Sequence, residues 1–317
     1  ISCGKCVRVC NELQNTKAIS MVERGAYTRV SPPFGMALAD SECVSCGNCV
    51  SVCPVGALMP KAMEKFRYWE TKKVRTTCSY CGVGCQLDLL VKDNKVVEVQ
   101  PAMGPSNQGL LCVKGKFAYN FVNHPDRLKT PLIRRNGKLE EATWEEAFEV
   151  VVNKIKDTKE QFGPDSIAGF SSARVTNEEN YLMSKFMRAV VGTNNVDHCA
   201  RLCHASTVAG LAVTLGSGAM TNGIADVKNS DVIFVTGSNT TEAHPVMGTF
   251  IRQAKENGAK LIVADPREIT LAKEADIYMS IKPGSSVALS NAMINVILEE
   301  GLEDKEYIAN NTEGFEE

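Results

Sequence analysis

The second half of the chain alternates between short apolar runs and segments whose apolar residues recur at helical spacing. The runs typical of buried strands lie at residues 166–170, 231–237, 260–265 and 277–281. Thr176 and Glu179 have the spacing of a capping box and open a predicted helix that ends at Val191. A second helix is predicted over residues 284–300. This order from about residue 165 predicts an α/β domain with a parallel sheet.

The first half of the chain carries a different pattern. Residues 86–91 alternate apolar and polar side chains, and residues 96–99 resume the alternation after a polar turn, so we predict a β-hairpin. Residues 142–156 have apolar side chains at helical spacing and predict a helix. Residues 61–75 are rich in Lys and Arg. We expect a solvated connecting helix there, with a docking surface for an acidic redox partner as the alternative.

Composition narrows the class of protein. The chain has 317 residues, of which 44% are hydrophobic and 23% charged, and its formal net charge is −2. This length accommodates two or three domains, and the near-neutral charge gives no indication of nucleic-acid binding. No apolar run approaches the ~20 residues of a membrane helix, and no signal peptide or twin-arginine leader is visible.

Cysteine spacing is the strongest chemical signal. Eleven of the thirteen cysteines fall into three arrays, Cys3-Cys6-Cys10, Cys43-Cys46-Cys49-Cys53 and Cys78-Cys81-Cys85-Cys112. The second array has the spacing of bacterial ferredoxins, in which three thiolates bind one [4Fe-4S] cluster and the fourth binds another cluster. The first array lacks its opening cysteine, which we expect immediately before Ile1. We therefore interpret the sequence as a fragment, and the completed arrays predict three four-cysteine clusters.

Two other uses of cysteine are weighed against iron–sulfur clusters. Zinc also binds C-x2-C pairs, but runs of three and four cysteines at these spacings favour clusters. A disulfide framework is typical of small secreted chains, and this chain has the length and composition of a globular protein. So many thiols indicate a reducing compartment, and we expect the protein in the cytoplasm.

Cys199 and Cys203 remain outside the arrays, and Cys203 is followed by His204. A Cys-His pair alone is usually structural. A soft thiolate nevertheless suits a high-valent metal bound by other sulfurs, and the charge of the metal keeps the thiol deprotonated. An imidazole titrates near neutral pH and can accept a proton. In a chain with three cluster arrays, the pair is the best candidate for the chemistry.

The ends of two predicted strands indicate a binding site. Gly237-Ser238-Asn239 follows one strand and Asp265 follows the next, and ligands of open parallel sheets bind at the carboxyl ends of strands. Gly237 would let backbone amides approach a phosphate at a helix N-terminus, and Asp265 can accept from ribose hydroxyls. The G-x-G-x-x-G fingerprint is absent, so an NAD site is not supported.

Two motifs carry a resemblance to a known family. Cys112-Val113-Lys114-Gly115 after C-x2-C-x3-C resembles the molybdenum/tungsten bis-pterin oxidoreductases, and residues 195–206 resemble the active-site loop of their formate dehydrogenases. The resemblance covers nearly the whole chain. It implies that Lys114 lies between the third cluster and a pterin, that Cys203 is the metal ligand in its cysteine form, and that His204 is the catalytic histidine.

The same resemblance implies a cradle for a bis-(molybdopterin guanine dinucleotide) cofactor. The matching positions are Gly237, Ser238, Asn239, Glu242, His244, Asp265, Arg267, Lys282 and Gly284. Cys199 matches a position that is not a ligand, and we expect it to be a buried small hydrophobe. We expect His198 and His244 to be structural, with His244 also able to touch the dinucleotide.

The predicted fold class is α/β with a small α+β ferredoxin-like module. The predicted domains are a two-[4Fe-4S] ferredoxin-like domain at 1–62, a basic linker helix at 63–75, a [4Fe-4S] domain built on a β-hairpin at 76–130, and an incomplete α/β pterin-dinucleotide domain at 131–317.

The implied reaction is HCOO⁻ ⇌ CO₂ + H⁺ + 2e⁻ at molybdenum or tungsten, between which the sequence does not choose. Electrons would pass Lys114, cross the three clusters and reach a partner subunit or ferredoxin-like acceptor in a hetero-oligomer. The substrate-binding arginine is expected beyond Glu317. Two alternatives stay open, an assimilatory-type nitrate reductase and a non-catalytic electron-transfer subunit that keeps the pterin domain as a relic.

Overall fold

The structure is a computed structural model that describes residues 2–60 and 65–315. The chain divides into two compact units. The first unit comprises residues 1–92, 97–118 and 223–317, and the second comprises residues 93–96 and 119–222.

The first unit begins with two short helices that follow matching cysteine motifs. Helix α1 (Lys5–Arg8) begins after Gly4, and helix α2 (Asn48–Ser51) begins after Gly47. Both glycines adopt the left-handed conformation with φ of 71°, which glycine reaches without steric cost. Each C-G-x-C run therefore turns sharply into a helix. Between the helices, strands β1 (Ser20–Val22) and β2 (Arg29–Ser31) form an antiparallel pair.

A three-stranded sheet follows in the order β3-β4-β5. Its strands are β3 (Lys72–Thr77), β4 (Gln86–Lys92) and β5 (Lys95–Pro101). The predicted hairpin is confirmed as β4 and β5, and its turn residues Asp93 and Asn94 both have positive φ, as a tight hairpin turn requires. Helix α3 (Val113–Phe117) comes after the sheet.

The predicted linker helix at residues 63–75 is wrong where the structure describes it, and residues 61–64 lie outside the described part. A short 3-10 turn at Tyr68–Glu70 leads into β3. Lys73 and Arg75 on β3 both form ion pairs with the buried Asp88 on β4. One carboxylate oxygen of Asp88 lies 3.2 Å from Lys73 Nζ, and the other lies 2.8 Å from Arg75 Nε. The basic residues alternate at the period of a strand to neutralise this buried carboxylate.

The second unit contains two small sheets and four α-helices. Strands β6 (Leu132–Arg135) and β7 (Lys138–Glu141) form an antiparallel hairpin. Helix α4 (Trp144–Phe162) confirms the helix predicted at 142–156 and extends it. Strands β8 (Gly169–Ser171) and β9 (Val196–His198) pair in parallel. Helix α5 (Asn177–Lys185) continues into a π-helical turn at Phe186–Val191.

The predicted capping box at the start of α5 is confirmed. Glu179 N–H donates to Thr176 Oγ1 at 3.3 Å, and Thr176 N–H donates to Glu179 Oε2 at 2.7 Å. These reciprocal bonds satisfy two backbone donors that the first turn of a helix cannot pair internally. Helices α6 (Ala200–Cys203) and α7 (Ala205–Leu215) complete the unit.

The rest of the first unit is an α/β layer. Strands β10 (Val232–Thr236), β11 (Lys260–Ala264) and β12 (Ile277–Met279) form a parallel sheet in that order, which confirms three predicted strands. The helices between and after them are α8 (Thr240–Ala243), α9 (Pro245–Glu256), α10 (Thr270–Glu274), α11 (Ser286–Glu299) and α12 (Lys305–Asn311). The helix predicted at 284–300 is thus confirmed as α11.

The core of this layer lies between the sheet and helices α9 and α10. Its buried members include Val263 and Leu271, which expose none of their surface, and Leu261, which exposes 1%. The strand predicted at 166–170 does not join this sheet; its observed counterpart, β8, pairs with β9 in the second unit. The predicted domain at 131–317 is therefore divided between the two units.

Among residues 2–60 and 65–315, no helix combines the length and the apolar character that crossing a membrane requires.

Candidate metal centres

The third array lines a single cavity in the first unit. Cys78 follows β3 and Cys85 precedes β4, and Cys78 N–H donates to the Cys85 carbonyl at 2.8 Å, so strand pairing brings these two cysteines together. Cys81 lies in the loop between the strands, and Cys112 directly precedes α3. All four cysteines and Lys114 line the same cavity, as the spacing predicts.

A buried amide holds the segment before Cys112 against the start of β4. Asn107 exposes none of its surface. Its Nδ2 donates to the Leu110 carbonyl at 2.9 Å, and its Oδ1 accepts from Gln86 N–H at 3.1 Å. Because Gln86 is the neighbour of Cys85, this one side chain ties the segment before Cys112 to the residue that follows Cys85.

Thiolates in this cavity would repel one another. Burial, followed by the charges of Cys78, Cys81 and Cys112, raises the pKa of Cys85 to about 12. Burial is also the main cause of the raised pKa of Cys78. Four thiolates in one partly dry cavity need a compensating positive charge, which the iron of a cluster supplies. The donor set therefore fits an iron–sulfur cluster.

The second array draws in a cysteine from the first. Burial, followed by the charges of Cys49, Cys10 and Cys43, raises the pKa of Cys46 to about 12. The pKa of Cys49 is raised to about 11 by burial and then by Cys10 and Cys43. Cys10 is thus close enough to both cysteines to raise their pKa values, and Cys6 also contributes to the shift of Cys49.

Cys53 in turn lies with the remaining members of the first array. Cys3, Cys6 and Cys53 line a cavity of about 310 Å³. Cys53 Sγ accepts from Ala57 N–H at 3.2 Å, and backbone N–H groups, chiefly that of Leu58, lower the pKa of Cys53.

Cys203 and His204 occupy the junction of α6 and α7 in the second unit. Cys203 is the last residue of α6, and His204 separates the two helices with φ of −146° and ψ of 22°. His204 N–H donates to the Ala200 carbonyl at 3.1 Å, and the His204 carbonyl accepts from Val208 N–H at 2.8 Å. Both side chains are exposed, so backbone bonds fix the junction while the thiol and the imidazole face outward.

The expectation that Cys199 is a buried hydrophobe is wrong, because Cys199 is exposed. Its sulfur accepts from Ala173 N–H at 3.3 Å and lies 3.8 Å from His198 Nδ1. Cys199 sits just before α6, where a polar sulfur pairs with a backbone donor instead of packing against apolar side chains. His198 Nδ1 accepts from Ala200 N–H at 3.0 Å and so supports the same turn.

The predicted dinucleotide positions gather at the carboxyl edge of the parallel sheet. Gly237 follows β10 with φ of 59°, and its N–H donates to the Ala264 carbonyl at 3.1 Å. Asp265 follows β11 and is buried, and its Oδ1 accepts from Arg267 N–H at 2.9 Å. The other positions lie in the loops and short helices that follow these strands and β12, namely Ser238, Asn239, Glu242, His244, Lys282 and Gly284.

His244 connects this edge with the third array. It directly precedes α9, and its Nε2 lies 3.8 Å from the point where a Cβ on Gly82 would stand. Gly82 lies between Cys81 and Cys85 in sequence. Pro245 and Val246, at the start of α9, line the cavity of the third array. The strand-end loop and the cysteine loop are thus direct neighbours.

Three models of known protein families match the chain. The family model described as "Molybdopterin oxidoreductase" matches residues 127–316, "Molybdopterin oxidoreductase Fe4S4 domain" matches residues 71–124, and "4Fe-4S dicluster domain" matches residues 1–57. The chain belongs to the molybdopterin oxidoreductase family. Its cysteine arrays therefore belong to iron–sulfur domains, and the zinc alternative is not supported.

Several relatives within the molybdopterin oxidoreductases are named formate dehydrogenases. The "F420-dependent formate dehydrogenase 2 subunit alpha" of Methanococcus maripaludis is 51% identical over 249 residues, covering 78% of this chain and 36% of the relative. The "Formate dehydrogenase H" of Escherichia coli is 49% identical over 253 residues, covering 78% of this chain and 35% of the relative. The chain thus spans about a third of the length of these curated relatives.

A solved structure of similar fold is "Acetylene Hydratase from Pelobacter acetylenicus". Its TM-score is 0.66 and its sequence identity is 28%, and the match covers 77% of this chain and 34% of that one. This likeness supports a mixed α/β molybdopterin oxidoreductase fold.

Sequence reasoning missed a buried lysine near the third array of this molybdopterin oxidoreductase. Lys116 exposes 2% of its surface, and its Nζ donates to the Val99 carbonyl at 2.6 Å and lies 3.2 Å from Glu98 Oε1. Burial lowers the pKa of Lys116, and Glu98 opposes that shift. Nothing in the run Val113–Phe117 distinguishes it from the exposed Lys114, since the difference arises only when α3 packs on β5.

Proposed function

We propose that this chain is part of the catalytic subunit of a formate dehydrogenase that interconverts formate and CO₂. The observation that carries the proposal is the exposed Cys203-His204 pair at the junction of two helices, in a molybdopterin oxidoreductase whose relatives are named formate dehydrogenases. The cofactor we propose is molybdenum or tungsten bound by two molybdopterin guanine dinucleotides, and when bound it supplies the two-electron redox chemistry.

Cys203 and His204 have separate tasks in this proposal. The Cys203 thiolate binds the metal through a soft sulfur, and its exposure leaves it accessible to a large cofactor. The balanced reaction, HCOO⁻ → CO₂ + H⁺ + 2e⁻, releases one proton. His204 follows the ligand directly, and its exposed imidazole accepts that proton and passes it to water.

The nucleotide tails bind at the carboxyl edge of the sheet of β10, β11 and β12. Gly237 leaves room for a phosphate to approach backbone amides. The Asp265 carboxylate, held by Arg267 N–H, keeps a second oxygen that can accept from a ribose hydroxyl. Ser238, Asn239, Glu242, His244, Lys282 and Gly284 complete the cradle.

Three [4Fe-4S] clusters, when bound by the cysteine arrays, would supply the path for the two electrons. Lys114 lines the cavity of the third array and is the proposed contact between that cluster and a pterin. Cys10, Cys43, Cys46 and Cys49 would hold the second cluster, and Cys3, Cys6 and Cys53 would be ligands of the first. From the ferredoxin-like module the electrons pass to a partner subunit or a ferredoxin-like acceptor in a hetero-oligomer. We place the protein in the cytoplasm, where free thiols are stable.

The test is the substrate range of the purified full-length holoprotein. We expect viologen reduction that depends on formate, and molybdenum or tungsten together with iron by elemental analysis. Nitrate reduction without formate oxidation would contradict the proposal and favour an assimilatory-type nitrate reductase. Iron without molybdenum or tungsten in the purified protein would instead favour an electron-transfer subunit.

A further inference from the structure

Three buried polar side chains form a hydrogen-bonded chain inside the first unit. Gln14, Asn48 and Thr249 expose 5%, 3% and 3% of their surface. Asn48 Nδ2 donates to Gln14 Oε1 at 2.8 Å, and Gln14 Nε2 donates to Thr249 Oγ1 at 2.9 Å. Thr249 Oγ1 donates in turn to the Pro245 carbonyl at 3.2 Å. We call Gln14, Asn48 and Thr249 the amide junction.

The amide junction also binds the backbone beside the third array. Asn48 Oδ1 accepts from Leu111 N–H at 3.4 Å, and Asn48 Nδ2 lies 3.5 Å from the Leu111 carbonyl. Leu111 is itself 1% exposed and directly precedes Cys112. Each buried polar group of the junction thus has a partner, and removing one partner would leave a costly unpaired donor or acceptor.

The position of the junction relates it to two clusters. Asn48 lies between Cys46 and Cys49 of the second array, whereas Leu111 is the neighbour of Cys112 of the third. Pro245, at the other end of the junction, lines the cavity of the third array. A single Asn side chain therefore joins the loop that encloses one cluster to the backbone that supplies a ligand to the other.

Gly47, in the second array, packs closely against helix α3, which follows the third array. A Cβ on Gly47 would stand 2.6 Å from Phe117 Cζ and 2.7 Å from Lys116 Cγ, both on α3. The cysteine loop of the second array therefore lies directly against the helix that follows Cys112. Contact at Gly47 limits how close the two arrays come, and the directional bonds of Asn48 limit how far apart they move.

We propose that the amide junction is a positioning device that fixes the spacing and orientation of the second-array cluster relative to the third-array cluster. The proposal rests on the cluster assignment made under the proposed function. Electron tunnelling between clusters weakens steeply with their separation, so a loosened junction slows transfer without changing any ligand. Apolar side chains of similar volume could fill this space, but they would not select one register of the two loops.

The test uses the full-length holoprotein with both clusters reduced, in which the magnetic interaction between neighbouring clusters splits their electron paramagnetic resonance signals. Gln14→Met removes the central amide and nearly preserves volume, and Thr249→Val removes only a hydroxyl. For both variants we expect full iron content, a shifted splitting, and slower electron equilibration between the clusters after a pulse of photochemical reductant. Neither readout requires formate.

Two variants serve as matched controls. Thr249→Ser keeps the hydroxyl and should restore the wild-type splitting. Gln100→Met removes an amide bond to Tyr68 Oη while every hydrogen bond of the amide junction stays in place, so it should leave the splitting unchanged. Unshifted splitting in Gln14→Met and Thr249→Val, at full iron content, would overturn the proposal.

Loss of iron also has a defined meaning. If Gln14→Met loses iron, Thr249→Val decides. If Thr249→Val loses iron as well while Thr249→Ser keeps it, the junction serves cluster assembly and the positioning proposal is wrong. If the variants show the shifted splitting but the wild-type holoprotein does not oxidise formate, the proposed function is contradicted and the positioning role of the amide junction is still supported.

Discussion

The cysteines of the first unit and those of the second unit lie in opposite surroundings. Most cysteines of the first unit are at least partly buried, and burial, followed by the charges of neighbouring thiols, raises the pKa values of Cys46 and Cys85 to about 12. Cys199 and Cys203 of the second unit are both exposed.

The reasons for expecting a metal therefore differ between the buried cysteines and the exposed ones. Buried neighbouring thiols cannot all ionise without a cation, so the surroundings of these cysteines suit ligands of a positively charged iron–sulfur centre. Cys203 has no such surroundings, and its proposed role depends on His204 beside it and on the family to which the chain belongs.

The largest effect is expected for a buried cluster ligand. Cys85→Ser should remove the third cluster from the first unit, because a serine hydroxyl is a poor ligand for iron that prefers thiolate. Iron content should fall by one cluster, and formate should no longer reduce the two ferredoxin clusters. Iron analysis and cluster spectra check this. Full iron content in Cys85→Ser would remove Cys85 from the ligand set.

Metal-free protein should lose stability in alkali. The folded state raises the pKa of Cys85 from 9.0 to about 12, so folding favours the protonated thiol. This contribution is fully present below pH 9 and is lost as pH rises from 9 towards 12. Urea unfolding of the metal-free protein across that window measures it, with metal-free Cys85→Ala as the control. An equal loss of stability in both proteins would contradict the predicted linkage.

Two lysines on α3 should respond differently to the same change. Lys116→Met leaves the buried Val99 carbonyl without its donor, and we expect a loss of about 1–3 kcal/mol in the free energy of unfolding. Lys114→Met alters an exposed side chain and should stay within about 0.5 kcal/mol. Chemical denaturation of both variants provides the comparison. Equal losses would mean that burial on α3 does not distinguish the lysines.

The smallest effect is expected in the second unit, where helix caps contribute. Thr176→Ala removes the hydroxyl that accepts from Glu179 N–H and should lower the free energy of unfolding by about 1 kcal/mol. Thr176→Ser keeps a hydroxyl acceptor and should lower the free energy of unfolding by less. Thermal unfolding measures both variants, and cluster spectra should not change in either. A changed cluster spectrum in Thr176→Ala would contradict the expectation that this helix cap in the second unit does not affect the cysteine arrays of the first unit.

Local patterns were predictable from the sequence, and packing over long distances was not. Cysteine spacing identified the four thiols of the third array, which share a cavity. The capping box at Thr176 and the strands β10 and β11 also followed from local pattern. The hairpin of β6 and β7 was missed although Asn136-Gly137, both at positive φ, is a strong turn signal.

Other features depend on residues far apart in the chain. Gln14 and Thr249 are separated by 235 positions in the chain, so no local sequence pattern predicts their hydrogen bond. The basic residues before Cys78 form a strand and not the predicted helix. Their partner, the buried Asp88, comes next to them only when β3 pairs with β4. Cys199 was expected inside because free cysteines are often buried, whereas its exposure follows from the turn before α6.

The most direct measurement compares the two exposed cysteines of the second unit. Cys203→Ser and Cys199→Ser change the same atom at positions four residues apart, and formate-dependent viologen reduction is assayed with iron, molybdenum and tungsten content. We predict that Cys203→Ser abolishes turnover at full iron content, while Cys199→Ser retains turnover. Retained turnover in Cys203→Ser, or equal loss in both variants, would contradict the role assigned to Cys203.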